Sequence, residues 1–393
     1  MSRTPGGGPY ALAVTPQSLS ATAAALRPSA PRQPLAGALA CAPARPDLQA
    51  PPIGTLSPPV PPSALASVLR SYRVGPLLEA VPVAEGLLNR GYRVTTGNGS
   101  YFLKCYVDAA TASRPVIAGQ HRATAGLHRR GLPVAPPLAA AGGRTVTAHG
   151  GRLFALFPWI EGRHRHGTDL DLPQCEALGA LLARLHGALD EVCAARPQPA
   201  GYRSADPRDS ARLAAALRLR ARERQPYGAF DALAEQRLTE RIELLAELAH
   251  RRPALDAAPP TGWTHGDFHG LNLLHRRGKV ATVLDWDKLG PQPRAEEAVR
   301  AATLLFNHPL TGMLDLVRVR RYSQAYRAAG GARPEEMAAA AHRVWWERLN
   351  DFWILQWHYQ RGDHRADPLF PASAGQLAWW CQEYEQVLDA FTN

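Results

Sequence analysis

One short stretch narrows the fold and chemistry open to this chain more than any other. Residues 271–275 and 280–284 are two β-rich runs, and Arg276-Arg277-Gly278-Lys279 between them has turn composition, so the segment reads as a hairpin. Asn272 stands near the start of the first run, Asp285 just past the end of the second, and Asp267 in the loop that feeds the first. Antiparallel pairing brings those two ends together. Two carboxylates and one amide oxygen therefore gather at a single hairpin end. Hard oxygen donors without soft ones suit magnesium, which takes few protein ligands and completes its shell with water and phosphate oxygens. A carboxylate beside such an ion can also align a hydroxyl and accept its proton.

The rest of the chain supplies a frame for that hairpin. Residues 1–62 hold fourteen of the 35 prolines and end in Pro58-Pro59-Val60-Pro61-Pro62, so they are expected to form a disordered tail. A short helix is predicted over 63–71. Strands follow over 87–94 and 100–106, joined by the turn Thr96-Gly97-Asn98-Gly99. A helix is expected over 114–130, stopped by Gly131, and a strand over 152–157. Beyond it apolar residues recur at helical spacing, as at Leu178, Leu181, Leu182 and Leu185. Helices are predicted over 172–189, 208–224, 229–251, 295–306, 313–329, 334–361 and 374–391. The expected plan is α+β: a tail over 1–62, a small β-rich lobe over 63–160 and a larger helical lobe over 161–393, with a ligand cleft between the lobes.

The pattern His265-x-Asp267-x-x-x-x-Asn272, followed 13 residues later by Asp285-Trp286-Asp287, resembles the catalytic and metal motifs of the aminoglycoside phosphotransferase family. That resemblance implies a protein-kinase-like two-lobed fold, with ATP and magnesium as cofactors. It implies Asp267 as catalytic base, Asn272 and Asp285 as metal ligands, and Asp287 and His265 as supports. Lys104, in the nearly apolar run Tyr101-Phe102-Leu103-Lys104-Cys105-Tyr106, matches the family's ATP lysine. Gly86 to Gly91, with Asn89, would turn over the phosphates, and Phe157-Pro158-Trp159-Ile160 resembles the hinge, where Pro158 O and Ile160 N would meet adenine. The family places Glu on the following helix to pair that lysine; here the position is Gln120, which carries no charge. Its usual Asp-Leu-Ala after the metal motif is also missing, and Ala295-Glu296-Glu297-Ala298 stands there instead. The aromatic helical run 345–359 reads as core. Its second reading is an acceptor pocket with Glu347, Asp351 and Trp353.

The resemblance implies transfer of a γ-phosphate to a hydroxyl of a small molecule, an aminoglycoside or another antibiotic. A metabolite kinase of the homoserine, choline or sugar type and a nucleotide-binding pseudokinase stand as alternatives. A hydrolase with His265, Asp267 and His269 as transition-metal ligands leaves Asn272 and Lys104 unexplained. The net charge of +11 invites a nucleic-acid reading, but residues 1–73 alone carry six arginines against Asp47, a net of +5. Neither nucleic acid nor membrane is expected as a partner. Five scattered cysteines fit a reducing cytoplasm better than a disulfide framework. No secretory leader is evident at Met1–Tyr10, and a monomer or weak dimer is expected. Only Lys104, Lys279 and Lys288 are lysines, so a lysine at a motif position is notable.

Overall fold

The computed structural model describes residues 59–83, 89–107, 113–193, 204–254, 259–330 and 332–393. Alternating apolar residues and an Asn-Gly turn build the first half. Strands β1 (Leu77–Val83), β2 (Arg90–Thr96), β3 (Gly99–Tyr106), β4 (Thr147–His149) and β5 (Arg152–Pro158) form one antiparallel sheet in the order β1-β2-β3-β5-β4. Two helices accompany the sheet, α1 (Pro62–Arg70) and α2 (Arg114–Arg129). Leu65, Val68 and Leu69 of α1 are buried in one cluster with Val94, Leu103, Phe154 and Leu156 of the sheet. Val60 joins this core, and its N–H donates to Tyr92 Oη at 3.0 Å. The folded region thus begins a few residues inside the stretch expected to be tail; residues 1–58 lie outside those described.

The helical half contains α3 (Leu172–Val192), α4 (Pro207–Glu223), α5 (Ala229–Glu247), α6 (Arg294–Leu305), α7 (Leu316–Gly330), α8 (Pro334–Leu349), α9 (Trp353–Gln356), α10 (Phe370–Gln382) and α11 (Tyr384–Thr392). Trp345, Trp346, Trp380, Phe306, Tyr322 and Phe391 are almost wholly buried and fill its core. Helix α3 starts on a capping box, Asp171 with Gln174, which satisfies two otherwise orphaned backbone donors. All described residues belong to one compact unit.

Most predicted elements are present, with instructive exceptions. The helix expected over 334–361 is broken between α8 and α9: Asp351 turns its carboxylate onto the Trp353 N–H at 3.1 Å, a local turn that diverts the backbone before α9 begins. The helix expected over 374–391 is likewise interrupted between Gln382 and Tyr384. Strand β1 was not anticipated, since its apolar and polar residues do not alternate cleanly. Neither was the two-stranded ladder of β6 (Thr261–Thr264) with β9 (Gly290–Pro293), which holds two prolines and no apolar run. The hairpin of β7 (Leu273–Arg276) and β8 (Lys279–Val283) turns on Arg277 and Gly278. Both have positive φ, 51° and 76°, as a type I′ turn requires. Residues 271 and 272, read as the start of its first strand, belong instead to the single 3-10 turn Gly270–Asn272.

Helices α3 and α7 approach so closely that Gly179 has no room for a side chain. A Cβ there would lie 2.1 Å from the Tyr322 carbonyl oxygen. Backbone cannot yield as a flexible side chain can. Gly179→Ala is therefore expected to lower the unfolding free energy by about 1–3 kcal/mol or more, read as a lower denaturation midpoint with an unchanged slope.

Candidate active site

The site is built at the junction of sheet and helical half. Strand β3 is the central strand of its sheet and carries Lys104, which is 9% exposed. The Lys104 ammonium meets Asp285 Oδ1 at 2.8 Å and Asp287 Oδ2 at 2.7 Å. Burial opposes its charge, but the two carboxylates outweigh burial and hold its pKa above the ordinary lysine value. Burial likewise works against the Asp285 carboxylate, yet Lys104 keeps it below the usual range. Asp287 shares the same cation beside a like charge, and burial pushes it up. The side chain of Asp285 is 44% exposed and that of Asp287 only 13%. The expected encounter across the lobes is present, though the ammonium sits directly on the acids rather than across a gap.

Asp287 is the better anchored of the two. Asn89 Nδ2 donates to its Oδ2 at 2.6 Å, while Asn89 Oδ1 accepts from the Val107 N–H at 3.0 Å. Gln120 Nε2 donates to the Asp287 carbonyl at 2.8 Å. Gln120 therefore does not hold Lys104 in place of the missing Glu: its amide NH2 finds a main-chain acceptor, and two aspartates take the lysine. Neighbouring His121 bonds Thr145 Oγ1 at 2.7 Å, and burial together with the Lys104 charge lowers its pKa to about 4, so it is neutral. Gly91 pairs with Lys104 across β2 and β3, and a Cβ on it would meet the Phe102 ring at 2.6 Å. Residues 84–88, which include part of the expected phosphate turn, lie outside those described.

The hairpin end behaves as its geometry predicts. The Leu284 N–H donates to Asn272 O at 2.8 Å, which closes the ladder beside Asp285. Asp285 has φ 54°, a left-handed conformation that Asp tolerates better than most residues. Asn272 Nδ2 donates to the Asp267 carbonyl at 2.9 Å and so ties the loop to the hairpin. Around the Asp267 carboxylate stand Lys288 Nζ at 3.1 Å and His269 Nε2 at 3.7 Å, both on Oδ2. Burial opposes its ionisation, but His269 and Lys288 outweigh it and hold the carboxyl well below the ordinary range. Lys288 was not assigned a role from sequence, although a rare lysine directly after Asp285-Trp286-Asp287 was the available signal.

His265 is fully buried, and both ring nitrogens are engaged: Nε2–H donates to Leu284 O at 2.8 Å and Nδ1 accepts from the Asp267 N–H at 3.2 Å. It organises the loop, and no lone pair remains for a transition metal, which removes the hydrolase arrangement. The loop is fixed from behind by Glu297 of α6. Its carboxylate accepts from the His265 N–H at 3.2 Å and from the Gly266 N–H, and bonds His186 Nε2 at 2.6 Å. Gly266 has φ 84°, and a Cβ there would lie 2.3 Å from Lys288 O. Sequence reading saw residues 295–298 only as a departure from a pattern and missed this carboxylate.

At the expected hinge, Trp159 N donates to Ser100 O at 3.3 Å and Leu156 O accepts from the Leu138 N–H at 2.7 Å. Pro158 O, two residues on, points to the same side as Leu156 O, away from β3, by the alternation of an antiparallel ladder. The aromatic run divides. Trp345 and Trp346 are core, each 1% exposed. Glu347 pairs with Arg300 at 3.3 Å. Asp351 and Trp353 line a cavity of about 50 Å³ with Arg237, Arg241 and Arg348, and no described contact joins them to Asp267.

Glu297 is buried with its pKa lowered: burial opposes ionisation, and His186 with the loop amides outweighs it. A depressed carboxylate contributes stability above the unfolded-state pKa of about 4.3 and loses it as pH falls through the folded value. Glu297→Gln is thus expected to lose about 1–3 kcal/mol at neutral pH. The deficit should shrink in acid below the ordinary Glu range, in urea melts run at both pH values.

Comparison with known proteins agrees with this geometry. The sequence model of the phosphotransferase enzyme family matches residues 79–332. A homoserine kinase of Methylobacillus flagellatus is 29% identical over 297 residues, which are 73% of this chain and 84% of that protein. Among solved structures, spectinomycin phosphotransferase APH(9)-Ia in complex with ADP and spectinomycin superposes with a TM-score of 0.57 at 14% identity, over 85% of this chain and 100% of that one. Amicoumacin kinase hAmiN, in complex with AMP-PNP, Ca2+ and Ami, gives 0.53 at 17% identity over 84% and 94%. The likeness to these structures establishes a kinase-like phosphotransferase fold. With its family model spanning both the lysine strand and the hairpin, this chain belongs to the phosphotransferase enzyme family.

Proposed function

We propose that the chain is a magnesium- and ATP-dependent kinase that phosphorylates the hydroxyl of a small amino alcohol of the homoserine type. One observation carries the reading: the Lys104 ammonium from the sheet meets Asp285 at 2.8 Å, at the hairpin end to which Asn272 also ties Asp267. The nucleotide-binding lobe is taken as 63–160 and the acceptor lobe as 161–393.

The donor set fits a hard cation and phosphate. Asn272 Nδ2 is engaged with a carbonyl, which leaves its Oδ1 as the donor to a metal. Asp285 is the more exposed of the two acids. Asn272 and Asp285 would hold magnesium, Lys104 the phosphates, and Pro158 O with Ile160 N the adenine edge. Magnesium-ATP, when bound, supplies the electrophilic γ-phosphoryl group and spreads its charge. Asp267 then orients the alcohol. Its depressed pKa makes it a weak base, so it accepts a hydrogen bond first and takes the proton late. A loose transition state asks for little more. His269 and Lys288 keep Asp267 ionised, and His265 with Glu297 keeps the loop in place.

Homoserine-type acceptors are supported by the homoserine kinase of Methylobacillus flagellatus, which matches over 73% of this chain and 84% of its own. An antibiotic acceptor has less support: the antibiotic kinases resemble this chain in fold alone, and a net charge of +11 repels a polycation. Gln120 invited a pseudokinase reading. Asp267, Asn272 and Asp285 at one hairpin end argue against it. No helix among the described residues is long and apolar enough to cross a membrane, in keeping with a cytoplasmic enzyme.

An acceptor panel coupled to ADP release tests the acceptor. Magnesium-dependent turnover is expected with homoserine and not with aminoglycosides, and the reverse outcome overturns the acceptor. Asp267→Asn should lower kcat by about 10²–10⁴ with little change in nucleotide affinity; turnover at the unmodified rate would contradict its role. Lys288→Met removes one of the two groups, with His269, that depress Asp267. The acid limb of kcat/KM should then move to higher pH, and an unmoved limb would place that cation's influence elsewhere.

A further inference from the structure

We propose that His358, His364 and Asp367 bind one divalent transition-metal ion of the zinc class, at a site separate from the cleft. His358 lies in the single π-helical turn Trp357–Arg361. Gly362 closes this turn at φ 64°, the left-handed region that favours glycine; His364 follows in the next loop and Asp367 opens the 3-10 turn Asp367–Leu369. His358 Nδ1 stands 2.8 Å from Asp367 Oδ2, His364 Nδ1 stands 3.1 Å from the same oxygen, and the two Nδ1 atoms are 3.0 Å apart.

Hydrogen bonding alone is a poor account of this triangle. An imidazole nitrogen has one in-plane direction, occupied by either a proton or a lone pair, and cannot point at two corners 60° apart. Two neutral imidazoles can donate one Nδ1–H each to the carboxylate, but the 3.0 Å Nδ1–Nδ1 edge is then donor facing donor. A cation above the triangle satisfies all three atoms at once. With bonds of about 2.1 Å, as for zinc and imidazole nitrogen, the three edges subtend about 85–95° at a common ion. That is the facial arrangement of two histidines and one carboxylate, whose nitrogen-rich donors suit first-row transition ions over magnesium. Among the described residues this is the group of three His, Cys, Asp or Glu side chains whose ligand atoms converge closely enough to share an ion.

The surroundings are those of a prepared site. His358 is 5% exposed, and its ring stacks on Phe230 at 4.2 Å and 14°. The next residue, Tyr359, donates to buried Asp231 Oδ1 at 2.8 Å, which locks the turn against the start of α5. His364 is half exposed, so an ion can enter from solvent and water can complete its shell. The ion would staple the π-helical turn to the loop before α10, a segment that helical propensity alone does not hold.

The test uses the full chain, stripped with chelator and titrated with Zn2+ without nucleotide. One equivalent of zinc should persist in Asp285→Asn and be absent from His364→Gln and from Asp367→Asn. Zn2+ should raise Tm of the unmodified chain and not of those two variants, and Co2+ should give nitrogen-ligated visible bands that they lack. Equal stoichiometry in the unmodified chain and His364→Gln, or binding abolished by Asp285→Asn alone, would overturn the proposal.

Discussion

A single buried ammonium sets the terms for the rest of the structure. An unpaired lysine inside a sheet is expensive to desolvate, and Lys104 escapes that cost only because Asp285 and Asp287 reach it from the other half of the chain. The sheet must therefore present its central strand to the hairpin, and the hairpin must end where it does. Asn89 and Gln120 secure Asp287 from the sheet side. The more exposed Asp285 is thereby left as the less secured of the two acids, the one the proposed function assigns to the metal. The arrangement resembles a site at rest, its cation held by the groups that would otherwise repel one another.

A second layer fixes the loop that carries Asp267. His265 bridges Leu284 and the Asp267 amide, Asn272 grips the Asp267 carbonyl, and Glu297 with His186 binds the loop from the helical side. Every one of these bonds reaches backbone or is buried, so the loop conformation follows from hydrogen-bond satisfaction. The Asp267 carboxylate is the part left facing charged side chains, Lys288 and His269, which explains both its ionisation and its weak basicity.

The hairpin and Lys104 were legible in the sequence because turn chemistry and period-two patterning are local signals, and a lysine in an apolar strand is conspicuous where lysine is scarce. Convergence of Asn272 with Asp285 followed from antiparallel pairing alone. Glu297 was not legible: its role depends on where α6 begins relative to the loop, a tertiary fact hidden behind an unfamiliar motif. The partners of Gln120 were not legible either, since an amide donates as readily as it accepts. The long helix expected over 334–361 failed at Asp351, where a side-chain to backbone turn competes with the helix. It is that break and the π-helical turn after it that gather His358, His364 and Asp367.

The most direct test of the central claim is calorimetric titration of a non-hydrolysable ATP analogue with and without magnesium, into the unmodified chain and into Asp285→Asn. If the hairpin end is the metal seat and Lys104 is released to the phosphates, magnesium should strengthen binding to the unmodified chain and have almost no effect on the variant. The same magnesium dependence in both proteins would contradict the account.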